Sequence, residues 1–325
     1  MTEASWRPAA ELGTLRARAD LLARVRGFFA RAGVMEVETP VASRAAATDP
    51  ALESLRTAWA GPGAAPQPLY LQTSPELAMK RLLAAGSGPI FQVCKVFRDG
   101  ERGRLHHPEF TLLEWYRPGW DYRRLMEEVA ELVRTALERP RLPVETLSYQ
   151  ELFQTPLGLD ITGLDAEDLC RAALRQGIAG AEDLELSRDG WLDLLLTHRI
   201  ESGLGRGCLT FVCDYPPSQA ALARVRDEPE PVAERFELYL EGMELANGFQ
   251  ELTDAAEQRR RFSADLGRRA AVGMSGSPPD EAFLAALEAG MPESAGVALG
   301  IDRLLMVATG RRHIDEVLAF PVERA

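Results

Sequence analysis

Three stretches of this 325-residue chain concentrate residue types able to handle charged ligands. The first runs from Phe97-Arg98-Asp99-Gly100-Glu101 through Arg104-Leu105-His106-His107-Pro108-Glu109-Phe110 to Glu114-Trp115-Tyr116. Read as two strands joined by a polar loop, it places Phe110, Leu112, Glu114 and Tyr116 on one face, because side chains alternate along a strand. Arg98 ends the strand before it. A guanidinium can fork onto a phosphate, and a phenylalanine ring offers a flat surface to a purine. The second stretch, Glu241-Gly-Met-Glu244-Leu245-Ala-Asn247-Gly248-Phe249-Gln-Glu251-Leu-Thr-Asp254, holds Glu244 and Glu251 with Asn247 between them. Its oxygens suit either Mg²⁺ or an ammonium group. The third, Gly296-Val-Ala298-Leu-Gly300-Ile-Asp302-Arg303, reads as a small-residue strand feeding a helix. A glycine at such a junction admits a ligand, and a helix N-terminus favours phosphate.

The elements that must carry these residues follow from periodicity. Leu21, Leu22, Val25, Phe28 and Phe29 predict an amphipathic helix over 15–32, closed by Gly33. Strands are expected at Val34–Pro40, Leu69–Gln72, Phe91–Arg98 and Phe110–Tyr116, the last two as a hairpin. Ser74-Pro75-Glu76 reads as the capped start of a helix reaching Ala85, and Asp121 as the cap of another bearing Leu125, Met126, Val129, Leu132, Val133 and Leu137. Residues 145–207 look helical and are expected to form a small insertion in a single domain spanning 1–325. Strands resume at Leu209–Val212 and Arg235–Leu240, turn at Glu241-Gly242, and continue over Met243–Phe249. A helix over Ile301–Thr309 is entered from Gly300 and left at Gly310. Hairpins outnumber alternating strand-helix units, so the expected class is α+β, an antiparallel sheet flanked by helices.

Composition narrows the function classes. No apolar run approaches the roughly 18 residues of a membrane span, and Met1 to Trp6 lacks the pattern of a signal peptide, so a cytoplasmic protein is expected. Cys94, Cys170, Cys208 and Cys213 show no paired spacing and are expected to be reduced thiols. A net charge of −12 opposes nonspecific attraction to nucleic acid. Arg259-Arg260-Arg261 and Arg268-Arg269 alternate with acids and read as a solvated helix face.

In order and wording the three stretches resemble motif 2, the acidic strand and motif 3 of class II aminoacyl-tRNA synthetases, and Gly33 to Pro40 is similar to motif 1. Thr-Ser-Pro-Glu76, His-x-Pro-Glu-Phe-Thr111, Glu114-x-Tyr116 and Asn-Gly-Phe-x-Glu-Leu-x-Asp254 resemble the lysine-type subclass. The likeness runs from about residue 15 to the C-terminus. Fewer than twenty residues precede it, where lysyl-tRNA synthetases carry an oligonucleotide-binding domain. That length, the opening Ala4-Ser5-Trp6-x-Pro8, and the runs ending in Pro118 and Gly300 are similar to the elongation factor P lysine ligases. Those enzymes attach (R)-β-lysine to a lysine side chain of elongation factor P.

The resemblance implies ATP as co-substrate, Mg²⁺, a homodimer built through motif 1, and no tRNA-reading domain. It makes Arg98 the α-phosphate ligand, Phe110 and Arg303 the two faces of an adenine sandwich, and His106 a helper at the phosphate tail. Glu244, and with it Glu251, would hold Mg²⁺. Asp99, Gly100, His107, Leu245 and Gly300 would lie along the ATP. Ser74, Pro75, Asn247 and Ala298 would lie along the amino acid. Glu76 and Glu114 would take the amino group near the carboxylate, and Tyr116 with Glu251 the side-chain ammonium. Three departures stand out. Gly100 replaces an acid expected to contact adenine, with Glu101 as its substitute. Leu105 and His107 replace Arg and Asn, with Arg104 as a source of the missing charge. Ala298 and Ala246 replace glycines, and the Ala298 methyl is expected to favour β-lysine over α-lysine. The competing readings are a truncated lysyl-tRNA synthetase that charges tRNA and a catalytically silent amino-acid sensor.

Overall fold

A computed structural model describes residues 6–227, 231–274 and 276–325. Ala4 and Ser5 of the opening motif, with Met1 to Glu3, lie outside the described residues. The chain divides into two compact units, Met1–Arg139 with Gln250–Ala325, and Pro140–Phe249.

The first unit begins with helix α1 (Leu12–Arg31), whose buried Leu21, Val25 and Phe29 recur every fourth residue. Phe29 stacks on Phe91 at 4.4 Å between ring centroids and meets Trp115 edge-on at 5.4 Å. Gly33, at φ +66°, turns the chain out of the helix as expected. The strand expected over Val34–Pro40 shrinks to β1 (Met35–Glu36), parallel to Ile90–Phe91. The Val37 N–H still reaches the Phe91 carbonyl, and Pro40 has no N–H to continue. Strands β2 (Ala42–Ser43), β3 (Arg56–Trp59) and β4 (Gln67–Leu71) form a separate antiparallel sheet. Helix α2 (Glu76–Ala84) follows, then the hairpin β5 (Ile90–Phe97) and β6 (Glu109–Pro118). Helix α3 (Tyr122–Leu137) is capped by Asp121, whose side chain accepts from the Arg124 N–H.

The second unit is larger than the expected insertion. Strand β7 (Val144–Ser148) leads into α4 (Tyr149–Leu157), α5 (Ala166–Arg175) and α6 (Arg188–Leu195). Strands β8 (Leu209–Tyr215), β9 (Val225–Arg226), β10 (Val232–Leu240) and β11 (Met243–Gln250) follow. The order is β11-β10-β8-β7, with β9 on β10 and only β7 parallel to its neighbour. The strands belong with the helices because Tyr149, Phe153, Leu169 and Trp191 close on Val212, Tyr215 and Tyr239 in one buried cluster. Glu241 and Gly242, at φ 54° and 72°, make the tight turn that fixes the β10–β11 register.

The chain completes the first unit with α7 (Ala255–Ala271), α8 (Glu281–Gly290), β12 (Ser294–Gly300) and α9 (Ile301–Thr309). Arg259, Arg260, Arg261 and Arg268 pair with Glu281, Glu257 and Asp265 on the helix surfaces. Arg269 departs from the expected solvated face. It is buried, donating to the Asp49 and Leu52 carbonyls and pairing with Glu53. Largely antiparallel pairing with flanking helices gives the expected α+β class. Among the described residues no helix is long and apolar enough to cross a membrane.

Candidate active site

Strand β6 positions the chemistry of the first unit. It is paired residue for residue with β5 on one side and β12 on the other. Trp115 and Arg117 turn one way, onto Glu128 of α3. Phe110, Leu112, Glu114 and Tyr116 turn the other way, the face the alternation predicts. Directly opposite them on β12 stand Gly300, Ala298 and Gly296, paired with Leu112, Glu114 and Tyr116. At Gly296 the missing side chain makes room for the Tyr116 ring and Glu251 Oε1, which stand where a Cβ would be.

Glu114 is buried there, 2% exposed, and both of its oxygens are engaged. Tyr116 Oη donates to Oε1 at 2.6 Å, and Ser74 Oγ donates to Oε2 at 2.7 Å. The same Ser74 hydroxyl accepts the Glu76 N–H at 3.0 Å, which ties the start of α2 to this carboxylate. The cap position of α2 thus falls on Pro75, one residue beyond the expected Ser74, although Ser74 still performs a cap's hydrogen bond. Tyr116, expected beside Glu251, bonds to Glu114, while its ring and Glu251 Oε1 both crowd the α-carbon of Gly296.

Lys80 was not foreseen. One turn along α2 from Glu76, it is 1% exposed. Its ammonium lies 2.6 Å from Glu76 Oε1 and 2.5 Å from Glu251 Oε2. Burial alone would lower its pKa, but Glu251 and Glu76 outweigh that and hold it above the ordinary lysine value. Glu251 is fully buried, and its oxygens lack a well-aligned hydrogen bond. Its carboxylate faces the Lys80 ammonium, where the resemblance implies a magnesium ligand.

Charge in this pocket is unbalanced. When ionised, Glu76, Glu114 and Glu251 bring three negative charges against the single positive charge of Lys80. Burial, followed by the charge of Glu76, pushes Glu114 up to about 7 despite Tyr116, Ser74 and Lys80. Burial also pushes Glu251 up to about 8, with Lys80 opposing and Glu76 and Glu114 reinforcing. Burial among like charges therefore favours the neutral form of both carboxyls. Burial, then Glu114, pushes the Cys94 thiol up to about 12, which favours the neutral thiol.

Removing one of these charges has a signed consequence. Glu114 titrates near 7 in the native state against an ordinary 4.5, so stability from its neutral form is complete below 4.5 and lost as pH rises through 7. Glu114→Gln is expected to stabilise the ligand-free protein at pH 8 by roughly 1–3 kcal/mol, with the difference closing as pH falls. Thermal unfolding at both pH values measures this, and a variant less stable than its parent at pH 8 refutes the sign.

The nucleotide-type residues gather at the loop end of the same face. The Arg98 guanidinium lies 5.0 Å from the centre of the Phe110 ring, and its Nη1 is 3.5 Å from Glu101, the acid expected to replace Gly100. Asp99 and Gly100 are exposed in a turn with Gly100 at φ +75°. Arg303, in the first turn of α9, reaches the Leu105 carbonyl at 3.3 Å and His106 Nε2 at 2.9 Å. Partial burial, then Arg303, lowers the pKa of His106, so the ring is neutral with its proton placed on Nδ1 by this contact. His107 departs from its expected place along the ATP. It is buried, with Nδ1 2.6 Å from the Glu109 carbonyl and Nε2 accepting the Val322 N–H at 2.9 Å. Neither ring nitrogen remains for a phosphate. Arg104 is exposed and reaches the Arg312 carbonyl at 3.4 Å.

In the second unit, Glu244 and Asn247 are half-buried on β11 and the Leu245 side chain is buried. Glu237 of β10, also unforeseen, is paired with Asn247. Its carboxylate takes Arg235 at 2.5 Å and the Tyr239 hydroxyl at 2.6 Å, while Arg235 Nε reaches Asn247 Oδ1 at 3.3 Å. Among the described residues no three His, Cys, Asp or Glu side chains gather as a ready-made metal cage. Hard oxygen donors with few protein ligands suit Mg²⁺, which commonly uses one or two carboxylates and fills its shell with phosphate oxygens and water.

A strand face of small residues, buried carboxyls around Lys80 and an arginine–phenylalanine pair thus line one antiparallel sheet. The chain belongs to the family described as tRNA synthetases class II (D, K and N), which it matches over residues 5–324, and it is an ATP-dependent ligase of that family. Among characterised proteins it is 50% identical over 323 residues to the elongation factor P–(R)-β-lysine ligase of Edwardsiella ictaluri, covering 99% of both chains. The ligases of the same name from Erwinia tasmaniensis and Salmonella arizonae are 50% and 49% identical, over 99% of this chain and 98% and 99% of theirs.

Proposed function

We propose that this enzyme activates (R)-β-lysine as its adenylate and transfers it to a lysine side chain of elongation factor P. Two buried carboxyls held above their ordinary range, Glu114 and Glu251, carry the diamine part of this reading. A lysine-like substrate brings two ammonium groups, and their arrival would ionise both carboxyls and balance the pocket. The names of the full-length relatives support the β-amino acid and the protein acceptor.

In the proposed reaction the substrate carboxylate attacks the α-phosphorus of ATP and pyrophosphate leaves. Arg98 neutralises charge that grows on the α-phosphate, Phe110 and Arg303 flank the adenine, and neutral His106 holds Arg303 in place. An acceptor lysine, having lost a proton, then attacks the mixed anhydride and AMP departs. Glu244 is proposed to hold Mg²⁺, which would supply positive charge to the phosphates. Exposure of Met35 and Val41 around the motif 1 strand supports a homodimer, and we place the enzyme in the cytoplasm.

Ala298 faces Glu114 across the ladder, so its methyl borders the proposed amine site. Ala298→Gly is expected to reduce the preference for β-lysine over α-lysine by about 10-fold or more, the scale of one methyl in a pocket. Comparing kcat/KM for both amino acids tests it, and an unchanged ratio sinks it.

The function itself is tested by transfer. Purified enzyme with ATP, Mg²⁺ and labelled (R)-β-lysine or α-lysine is offered elongation factor P and bulk tRNA separately. Label on elongation factor P alone is the expected result. Label on tRNA would overturn the acceptor while leaving adenylation intact, and pyrophosphate exchange with neither amino acid would point to a silent sensor.

A further inference from the structure

We infer that Asp302 is a positioning residue that sets the nucleotide slot by locking the first turn of α9 to strand β6. Its side chain is 2% exposed, and Oδ2 accepts the Thr111 N–H at 2.6 Å. The other oxygen pairs with Arg18 of α1, whose guanidinium also donates to the Val317 carbonyl at 3.0 Å. Position decides what this contact does. The β6–β12 ladder ends at the Leu112–Gly300 pair, after which the chain turns into α9. Thr111 lies one residue past that end, where strand β12 no longer offers a carbonyl. The Asp302 carboxylate takes over as acceptor, in a charge-assisted bond stronger than the one it replaces.

The neighbours on both sides of this bond are the residues read as the adenine sandwich. Phe110 precedes Thr111, and Arg303 follows Asp302. Holding the Thr111 amide to the Asp302 carboxylate therefore fixes the offset between ring and guanidinium, with Arg18 balancing the buried charge from outside the slot. This inference rests on the adenine reading of Phe110 and Arg303, and the test separates the two.

Steady-state ATP–pyrophosphate exchange is measured for Asp302→Ala, Asp302→Asn, Arg18→Met and Phe110→Ala, with KM obtained separately for ATP and for the amino acid. Asp302→Ala is expected to raise the ATP KM about 10- to 100-fold, the scale of misplacement by an ångström, with the amino-acid KM unchanged. Asparagine keeps an acceptor for Thr111 and should recover part of the loss. Arg18→Met, remote from the ligand, should shift the ATP KM the same way, and it carries the test should the alanine variant not fold. A wild-type ATP KM in the Asp302 and Arg18 variants, or equal rises in both KM values, would overturn the positioning role. An unchanged ATP KM in Phe110→Ala would instead overturn the adenine reading beneath it.

Discussion

Gly296→Ala is expected to cut amino-acid activation steeply in a protein that still folds. Gly296 stands opposite Tyr116 in the β6–β12 ladder, and a methyl built on it would overlap both the Tyr116 ring and Glu251 Oε1. Neither neighbour has an easy retreat. Tyr116 is 2% exposed and bonded to Glu114, Glu251 is fully buried against Lys80, and the Glu251 N–H is held by the Ser294 carbonyl at 2.9 Å. The backbone must part or Glu251 must swing out of the amine pocket, and either moves the proposed ammonium ligand by an ångström or so. The amino-acid kcat/KM should fall about 100-fold or more, while overpacking costs about 1–3 kcal/mol of stability. Binding of ATP by itself should survive, since the Arg98–Phe110 pair lies at the other end of the face. Pyrophosphate exchange with thermal unfolding decides it. A folded variant with amino-acid kinetics close to the parent would show that Glu251 does not receive the substrate.

Much of this site was legible because it follows strand alternation. Once Phe110 to Tyr116 is read as a strand, Phe110 and Glu114 must share a face, and the hairpin brings Arg98 to Phe110. The helix of Ile301–Thr309 was readable to the residue, since glycines bound it on both sides. What escaped depended on partners distant in sequence. Lys80 sits on a helix whose pattern reads as ordinary, and only the fold places Glu251 against it. Gly296 reads as one more small residue, and only the fold brings Tyr116 and Glu251 against its α-carbon. His107 shares a motif with His106, yet its ring turns inward onto Val322, a contact no local spacing encodes. Arg269 likewise belongs to an arginine-rich helix face but reaches back to Glu53.

Lys80→Met should be the most destabilising single change in the amine pocket, and its cost should grow with pH. The native pKa of Lys80 lies above its ordinary value, so its ammonium is present in full at neutral pH and is lost only as pH climbs through that raised value. Any pH dependence of the variant near neutrality must then come from the carboxyls left behind. At pH 6, below the values of about 7 and 8 for Glu114 and Glu251, both can take up protons and the missing cation matters less. At pH 9 they are driven to ionise beside Glu76 without a cation, and breaking such a buried ion pair costs about 3–5 kcal/mol. Removing Glu251 as well should restore much of that loss, because an ion pair deleted whole leaves no stranded charge. Thermal unfolding of Lys80→Met and of Lys80→Met with Glu251→Gln, at both pH values, tests the scheme. An equal loss at pH 6 and pH 9, or a double variant weaker than the single, would mean that Lys80 serves through packing alone. The pocket's excess of carboxylate would then be balanced by some other group, and the match to a diamine would lose its electrostatic basis.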